Sequence, residues 1–302
     1  MTARPDRPIA ALSVDLDSVQ THLDGYRIQA DGPDRLVEVA VDRLLGLFRD
    51  RSVRATFFVV ARDVAAGPQW LGAIRAEGHE IASHSVDHPM GFSRLPSDLL
   101  RRELAESRLA IEARVGGPVL GFRCPNWDVS ARVLALARRA GYRYDASLLP
   151  TPLLIPARLL LAVKSGSPGS LVQQPLWPTS LRRLPRVVST PAGSIAEVPV
   201  SVTPWTRWPI YHTVRYRTSD HRFARLLDGF VRRAEPLSYP LHAIDVTGID
   251  EDALDPRLAR HPGAALPLAA KIDLMGRTLD LIAERFVARP LEELVTSMAE
   301  AG

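Results

Sequence analysis

Two short polar motifs stand where apolar runs end. His84-Ser85-Val86-Asp87-His88 follows Ile81-Ala82-Ser83, and Asp15-Leu16-Asp17 closes a run that begins at Ile9. Two imidazoles four residues apart reach one ion when the backbone turns helically between them. A carboxylate from another strand end then completes a two-histidine, one-carboxylate site with positions left open for a reactant. A His-x-x-x-His spacing by itself is common in ordinary loops, so its weight comes from its company. Asp15, Asp17, His84, His88, Arg123 and His242 all fall at or just beyond the ends of strand-like runs, where an α/β barrel gathers its active site.

The elements that must position these groups alternate. Ile9 to Val14 has the length of a buried strand, and Leu36, Val37, Ala40, Val41, Leu44 and Phe48 recur at helical spacing before a second apolar run, Arg54 to Val60. The same rhythm continues with a helix near Gln69 to Ala76, a strand His79 to Ser83, a helix Asp98 to Val115, a strand Val119 to Phe122, a helix Ser130 to Ala140 and a strand Tyr142 to Tyr144. Strands alternating with helices predict a parallel sheet, closed as a barrel. Prolines, among them Pro150, Pro152, Pro156, Pro168, Pro175 and Pro178, crowd the stretch from 150 to about 218 and predict an irregular insertion without long helices. Ile195 to Val202 within it and Leu237 to Ile244 beyond it are strand-like, Arg222 to Arg233 is helical, and a last helical pattern runs from about Leu266 to Val287.

Composition narrows the function classes. The 302 residues are 46% hydrophobic and 24% charged, enough to bury a large core, and the expectation is one barrel domain over 1–302 with helices near 266–300 at its C-terminal end. The single cysteine, Cys124, rules out an internal disulfide and a cysteine-based zinc cluster. Only Lys164 and Lys271 among the 38 basic residues are lysine, and the formal charge is +4. The arginines alternate with Asp and Glu on helix-like stretches such as Asp98 to Arg114, the pattern of solvated faces rather than of a nucleic-acid surface. No window approaches the roughly 18 apolar residues of a membrane span. The first residues carry no apolar signal stretch, and a cytoplasmic setting is the expectation. The apolar segment Leu148 to Val163, with Arg158 and Lys164, allows at most a peripheral membrane contact, and its prolines favour a loop that covers the core.

Five segments resemble, in order, the polysaccharide deacetylase family, also called the NodB-homology or carbohydrate esterase family 4 group. They are Ser13 to Asp17; Ala55 to Val59 with Gly78-His79-Glu80-Ile81-Ala82-Ser83-His84-Ser85-Val86-Asp87-His88; Gly121-Phe122-Arg123-Cys124-Pro125; Gly141 to Ser147; and Leu241-His242. The resemblance implies a distorted (β/α)7-type barrel and a metal-dependent hydrolase that removes an N-acyl group, acetyl in most members, from a sugar or related small molecule. It implies a divalent ion, usually zinc, on Asp17, His84 and His88, with Asp15 as general base. It makes Arg123 the holder of that base, His242 the general acid and Asp145 the group that tunes His242; Asp245 is the alternative for that last role. Leu16 separates aspartates that the family sets side by side, which leaves open which carboxylate is base and which is ligand. Asn126 and Trp127 replace the usual tyrosine after Arg123-Cys124-Pro125.

Other readings remain beside it. The Asp-x-Asp start and the segment Gly193 to Pro199 with Pro240-Leu241-His242 look like a branch that deformylates an aminosugar on a polyprenyl phosphate, and Arg182, Arg183 or Arg186 would then meet a phosphate. An iron oxygenase uses the same ligand types but in an all-β frame that conflicts with the alternation. A non-catalytic sugar-binding barrel would not need both aspartates, Arg123 and His242.

Overall fold

The computed structural model describes residues 7–300 apart from 25, 27, 32–33, 66 and 154–177. Arg158, Lys164 and most of the apolar segment after Leu148 lie outside the described residues. The sequence from Ile9 is apolar on both faces, as a strand covered from both sides must be. It forms β1 (Ile9–Leu16), buried along all but its first residue. After it come β2 (Thr56–Val59), β3 (Glu80–Ser83), β4 (Gly121–Phe122), β5 (Tyr144–Asp145), β6 (Arg186–Thr190), β7 (Gly193–Glu197), β8 (Leu237–His242) and β9 (Val287–Arg289). The helices are α1 (Val19–Asp24), α2 (Leu36–Arg49), α3 (Ala61–Val64), α4 (Gln69–Ala76), α5 (Ser97–Val115), α6 (Ala131–Ala140), α7 (His212–Arg215), α8 (Asp220–Arg232), α9 (Leu268–Ala283) and α10 (Leu291–Glu300). None is long and apolar enough to cross a membrane.

The sheet runs β6-β7-β5-β4-β3-β2-β1-β8, with β9 added to β1, and every pairing is parallel except β6 with β7. It curls as a half-barrel of mixed α/β type. Across the gap between its ends, Ser201 donates its N–H to Ser238 O (3.1 Å) and its Oγ accepts from Ser238 N (2.9 Å). The register aligns the C-terminal strand ends: Leu16 sits opposite Val59, Val59 opposite Ser83, Ser83 opposite Phe122, and Asp15 opposite His242. Residues that leave those ends therefore share one rim.

The longer strands and helices from 9 to 145 alternate as the sequence reading has them, with three differences along the chain. In the proline-rich stretch the strand read at Ile195 to Val202 is Gly193–Glu197, and Arg186–Thr190, not foreseen as a strand, pairs with it as a hairpin. The polar segment after Asp17 makes the short helix α1. The pattern from Leu266 to Val287 divides, because α9 ends at Ala283 and Val287–Arg289 turns into a parallel strand on β1.

The opposite rim is tied down by a buried carboxylate. Glu80 accepts from Thr56 Oγ1 (2.6 Å), Tyr144 Oη (2.7 Å) and the backbone N of Glu292 in α10 (3.1 Å), while Leu291 N donates to Thr56 Oγ1 (2.8 Å). Three strands and the last helix thus meet on one side chain. Burial pushes the Glu80 carboxyl up to about 7, against its hydrogen bonds. Tyr144→Phe leaves that buried carboxylate one donor short, which costs roughly 1–3 kcal/mol. A urea titration should show the midpoint fall with the slope unchanged; an unmoved midpoint removes Glu80 as the anchor.

Candidate metal and acid-base site

The site begins with how two histidines are presented. His84 extends β3, its N–H bonded to Val59 O (2.8 Å). The chain then does not turn helically towards His88, contrary to the simplest reading of the spacing. Ser85 and His88 both take left-handed φ values, 74° and 54°, in an irregular bend. That conformation is costly for residues with a Cβ, so neighbours must hold it. Ser85 Oγ accepts from His88 N (3.0 Å), Ala61 N and Arg62 N donate to Ser85 O and Val86 O, and Arg62 Nη1 donates to Asp87 O. Glu103 of α5, only 4% exposed, accepts from both Val86 N (2.9 Å) and Asp87 N (3.0 Å). Glu103 escapes the sequence reading because its helix is charged all along; a weak signal is its spacing with Leu100, Leu104 and Ile111 on the buried face.

The bend brings His84 Nε2 and His88 Nε2 to 3.5 and 3.6 Å from the same oxygen, Asp17 Oδ1. Ligand atoms at zinc-like distances in a tetrahedron lie about 3.4 Å apart. The fit has two further supports. His84 Nδ1 meets Arg123 O at 2.8 Å; a carbonyl only accepts, so Nδ1 carries the proton and Nε2 presents its lone pair. Asp17 Oδ1 is buried and has no hydrogen-bond partner among the described residues. Asp17, His84 and His88 are all buried, and together they could hold a divalent ion. Burial keeps both imidazoles neutral, pushing His88 down to about 4, as a ligand requires. It raises the Asp17 carboxyl, with the pull of His84 opposing and the charge of Asp15 adding.

Beside this group lie Asp15 and His242. Asp15 is 3% exposed; burial would raise its carboxyl, but Arg123, with His84 and His242, outweighs that and holds it below the ordinary carboxylate range. Arg123 is fully buried and every branch of its guanidinium is engaged: Nη1 with Asp15 Oδ1 (2.5 Å), Nη2 with Ser13 Oγ (2.9 Å), Nε with Ala146 O (3.0 Å). Phe58 stacks 4.1 Å beneath it. His242 faces two carboxylates, with Nε2 3.8 Å from Asp15 Oδ2 and Nδ1 3.8 Å from Asp245 Oδ2. Burial lowers the His242 pKa, yet Asp245 and Asp15 overcome it and push the group up to about 9.

Asp145 is elsewhere. Its oxygens accept from Ser147 N (3.0 Å) and Ser147 Oγ (2.5 Å), and that hydroxyl in turn accepts from Cys124 N (2.7 Å). It braces the turn behind Arg123, and Asp245, not Asp145, stands beside His242. Asp245 accepts from His242 N (2.8 Å) and Tyr216 Oη (2.9 Å), so its orientation is fixed. Cys124 is buried and burial raises its thiol pKa, which leaves it no nucleophilic part. Arg183 and Arg186, two of the arginines that could meet a phosphate, are paired with Glu235 and Glu197.

Residues 30–144 match the sequence model of the polysaccharide deacetylase family, a span that contains His84, His88 and Arg123. The chain is 30% identical over 113 residues to the peptidoglycan-N-acetylglucosamine deacetylase of Bacillus cereus, covering 37% of this chain and 51% of that protein. It is 30% identical over 111 residues to chitin deacetylase 1 of Cryptococcus neoformans var. grubii, covering 37% of this chain and 23% of that protein. The chain thus spans about half the length, or less, of these curated relatives. A solved structure from Mycobacterium smegmatis assigned to the polysaccharide deacetylases superposes with a TM-score of 0.63 at 18% identity, over 99% of this chain and 93% of that one, which shows the shared fold. The family model, these relatives and the shared fold support a place for the chain in the polysaccharide deacetylase, or NodB-homology, family.

Glu103→Ala frees the two backbone N–H groups that hold the bend, and loss of such an outer support typically costs about 10- to 100-fold in metal affinity. Calorimetric titration with zinc should show that drop while the fold is retained; unchanged affinity means the bend holds without Glu103.

Proposed function

We propose that the protein is a metal-dependent hydrolase that removes an N-acyl group, acetyl in the first instance, from an aminosugar. The observation that carries this reading is the juxtaposition on one rim of a buried two-histidine, one-carboxylate cluster with a carboxylate held by arginine and a histidine held by carboxylates. The relatives, named as deacetylases of peptidoglycan and of chitin, support the substrate class.

A divalent ion on Asp17, His84 and His88 would acidify water and polarise the amide carbonyl. Asp15 takes the proton of the attacking water, and it is ionised and correctly oriented for this because Arg123 grips its other oxygen. His242 enters the reaction protonated and gives its proton to the departing amine, so the amide and water become a carboxylic acid and a free amine. Asp245, 3.8 Å from Nδ1, favours the charged form of the ring by its own charge; it is a positioning residue. The separation of the two aspartates by Leu16 has a consequence here: β1 continues to Leu16, so Asp15 is a strand residue beside Arg123 and His242, and Asp17 lies past the end near His84 and His88. We therefore assign the base to Asp15 and the ligand to Asp17.

Release of acetate and formate from N-acylated aminosugars, free and lipid-linked, tests the reaction. Zinc-loaded wild type should release one acid, and Asp15→Asn and His84→Ala should each lower the rate at least about 100-fold. Wild type that binds zinc and releases neither acid sinks the proposal, and formate in place of acetate would move it to the deformylase branch.

The acid assignment has its own pH signature. A group poised near 9 keeps its proton at neutral pH and loses it above, so activity should fall as pH rises through about 9. Asp245→Asn removes a charge that favours the protonated ring, and the alkaline limb of kcat should move to lower pH. A limb that stays in place frees His242 from Asp245.

A further inference from the structure

We propose that the hairpin around Trp205, together with the arginines of the segment that follows it, is a docking surface for the headgroup layer of an anionic lipid bilayer. The charge pattern changes at this part of the chain. Along Asp98 to Arg114 the arginines are interspersed with acids, whereas Thr203 to Leu226 sets Arg207, Arg215, Arg217, Arg222 and Arg225 against one acid, Asp220. That acid is already taken, because Asp220 pairs with the buried Arg215 and, at 2.9 Å, with Arg277. Asp228, the other acid of α8, pairs with Arg285 (2.7 Å). Arg217, Arg222 and Arg225 are exposed, and none of them has an ion pair or side-chain hydrogen bond among the described residues. Their charge is left for something outside the chain.

An apolar part lies beside these cations. Val202 and Pro209 form an antiparallel bridge, Thr203 N donates to Trp208 O (3.0 Å) and Trp208 N donates to Thr203 Oγ1 (2.9 Å), so the turn they close is held in shape. Trp205 stands midway along that turn and is 95% exposed, and Trp208 at its end is 45% exposed, a large apolar area to leave in water. Trp208, Pro209 and Ile210 share one hollow with Thr218 and with Phe223 and Leu226 of α8. Arg217 adjoins Thr218 in the chain, and Arg222 lies one helical turn before Leu226, on the face of α8 that reaches the hollow. Free cations therefore border the indoles. An indole places its apolar body at the boundary between headgroups and acyl chains, and arginines at that level meet lipid phosphates. A nucleic acid also takes aromatics and arginines, by stacking its bases along a cationic groove. The bilayer is favoured because the most exposed of these side chains is an indole on a braced turn, apolar area that a phosphate backbone would leave wet. This surface is independent of the chemistry assigned to the strand ends.

The test sediments metal-free wild type, Trp205→Ser and the double variant Arg222→Gln/Arg225→Gln with vesicles of phosphatidylcholine, alone or with about one third phosphatidylglycerol. Wild type should bind the anionic vesicles in ~0.1 M salt, come off them in ~0.5 M salt, and bind the neutral ones at least about tenfold more weakly. A basic side chain at such a surface is worth about fivefold, so the double variant should lose about 20-fold and Trp205→Ser about three- to tenfold. Bromine-labelled acyl chains should quench the fluorescence of wild type more than that of Trp205→Ser. Failure of wild type to bind anionic vesicles overturns the surface, as do variants that bind and are quenched like wild type. Salt-sensitive binding to a single-stranded oligonucleotide that exceeds vesicle binding and falls in the same variants also overturns it and gives the patch to nucleic acid.

Discussion

The pairing of Arg123 with Asp15 is the constraint around which the rest is arranged. Two charges taken wholly out of water repay their desolvation only if geometry is close and the remaining donors are satisfied. Here the arginine gives Nη1 to Asp15, Nη2 to Ser13 and Nε to Ala146, so β1 and the turn after β5 are both clamped to the end of β4. Removing either partner leaves a bare charge in the interior, a loss of about 3–5 kcal/mol in comparable cases. The same pair sets the charge state of Asp15, because the guanidinium is what offsets burial and holds its carboxyl ionised. Arg123 also fixes His84 through its backbone carbonyl, so one residue orients both Asp15 and a histidine of the cluster.

The two halves of the rim are held by different means. Strand register alone puts Asp15 beside His242, since parallel pairing of β1 with β8 sets those residues opposite each other. The His84 to His88 bend has no register to define it. Its left-handed residues are held by side chains from elsewhere, above all Glu103, and by the backbone of Ala61 and Arg62. One half of the site is a property of the sheet, and the other is a property of packing against α5.

How much of this was legible in the sequence follows from that division. Long periodic runs such as Leu36 to Phe48 and the apolar stretch from Ile9 announced the strand and helix alternation, because burial imposes its period on the residues. Asp15, Asp17, His84, His88, Arg123 and His242 stood out because strand ends are where such groups collect, and all six meet on one rim. The conformation of the bend was not legible: Ser85 and His88 are not residues that advertise a positive φ. Nor was the partner of His242. Asp145 and Asp245 both sit near strand ends, and only the short turn after β8, in which Asp245 accepts from the backbone of His242, decides between them. The strand β9 was hidden for a similar reason, since a short segment beside a long helical pattern is absorbed by the pattern.

That small strand has a kinetic meaning. β1 is flanked on one edge by β8 and on the other by β2 for its second half and β9 for its first, so its partners come from residues 56–59, 237–242 and 287–289. An eight-residue strand that is apolar on both faces is made before its neighbours, and two of those three come more than 200 residues later. Its pairings are among the most distant in the chain, and closing such loops is slow. Until then β1 is an unpaired, sticky edge whose safest course is to dock on β2 and wait. The burden of keeping the nascent chain from associating with its neighbours therefore falls on the segment that later carries Asp15.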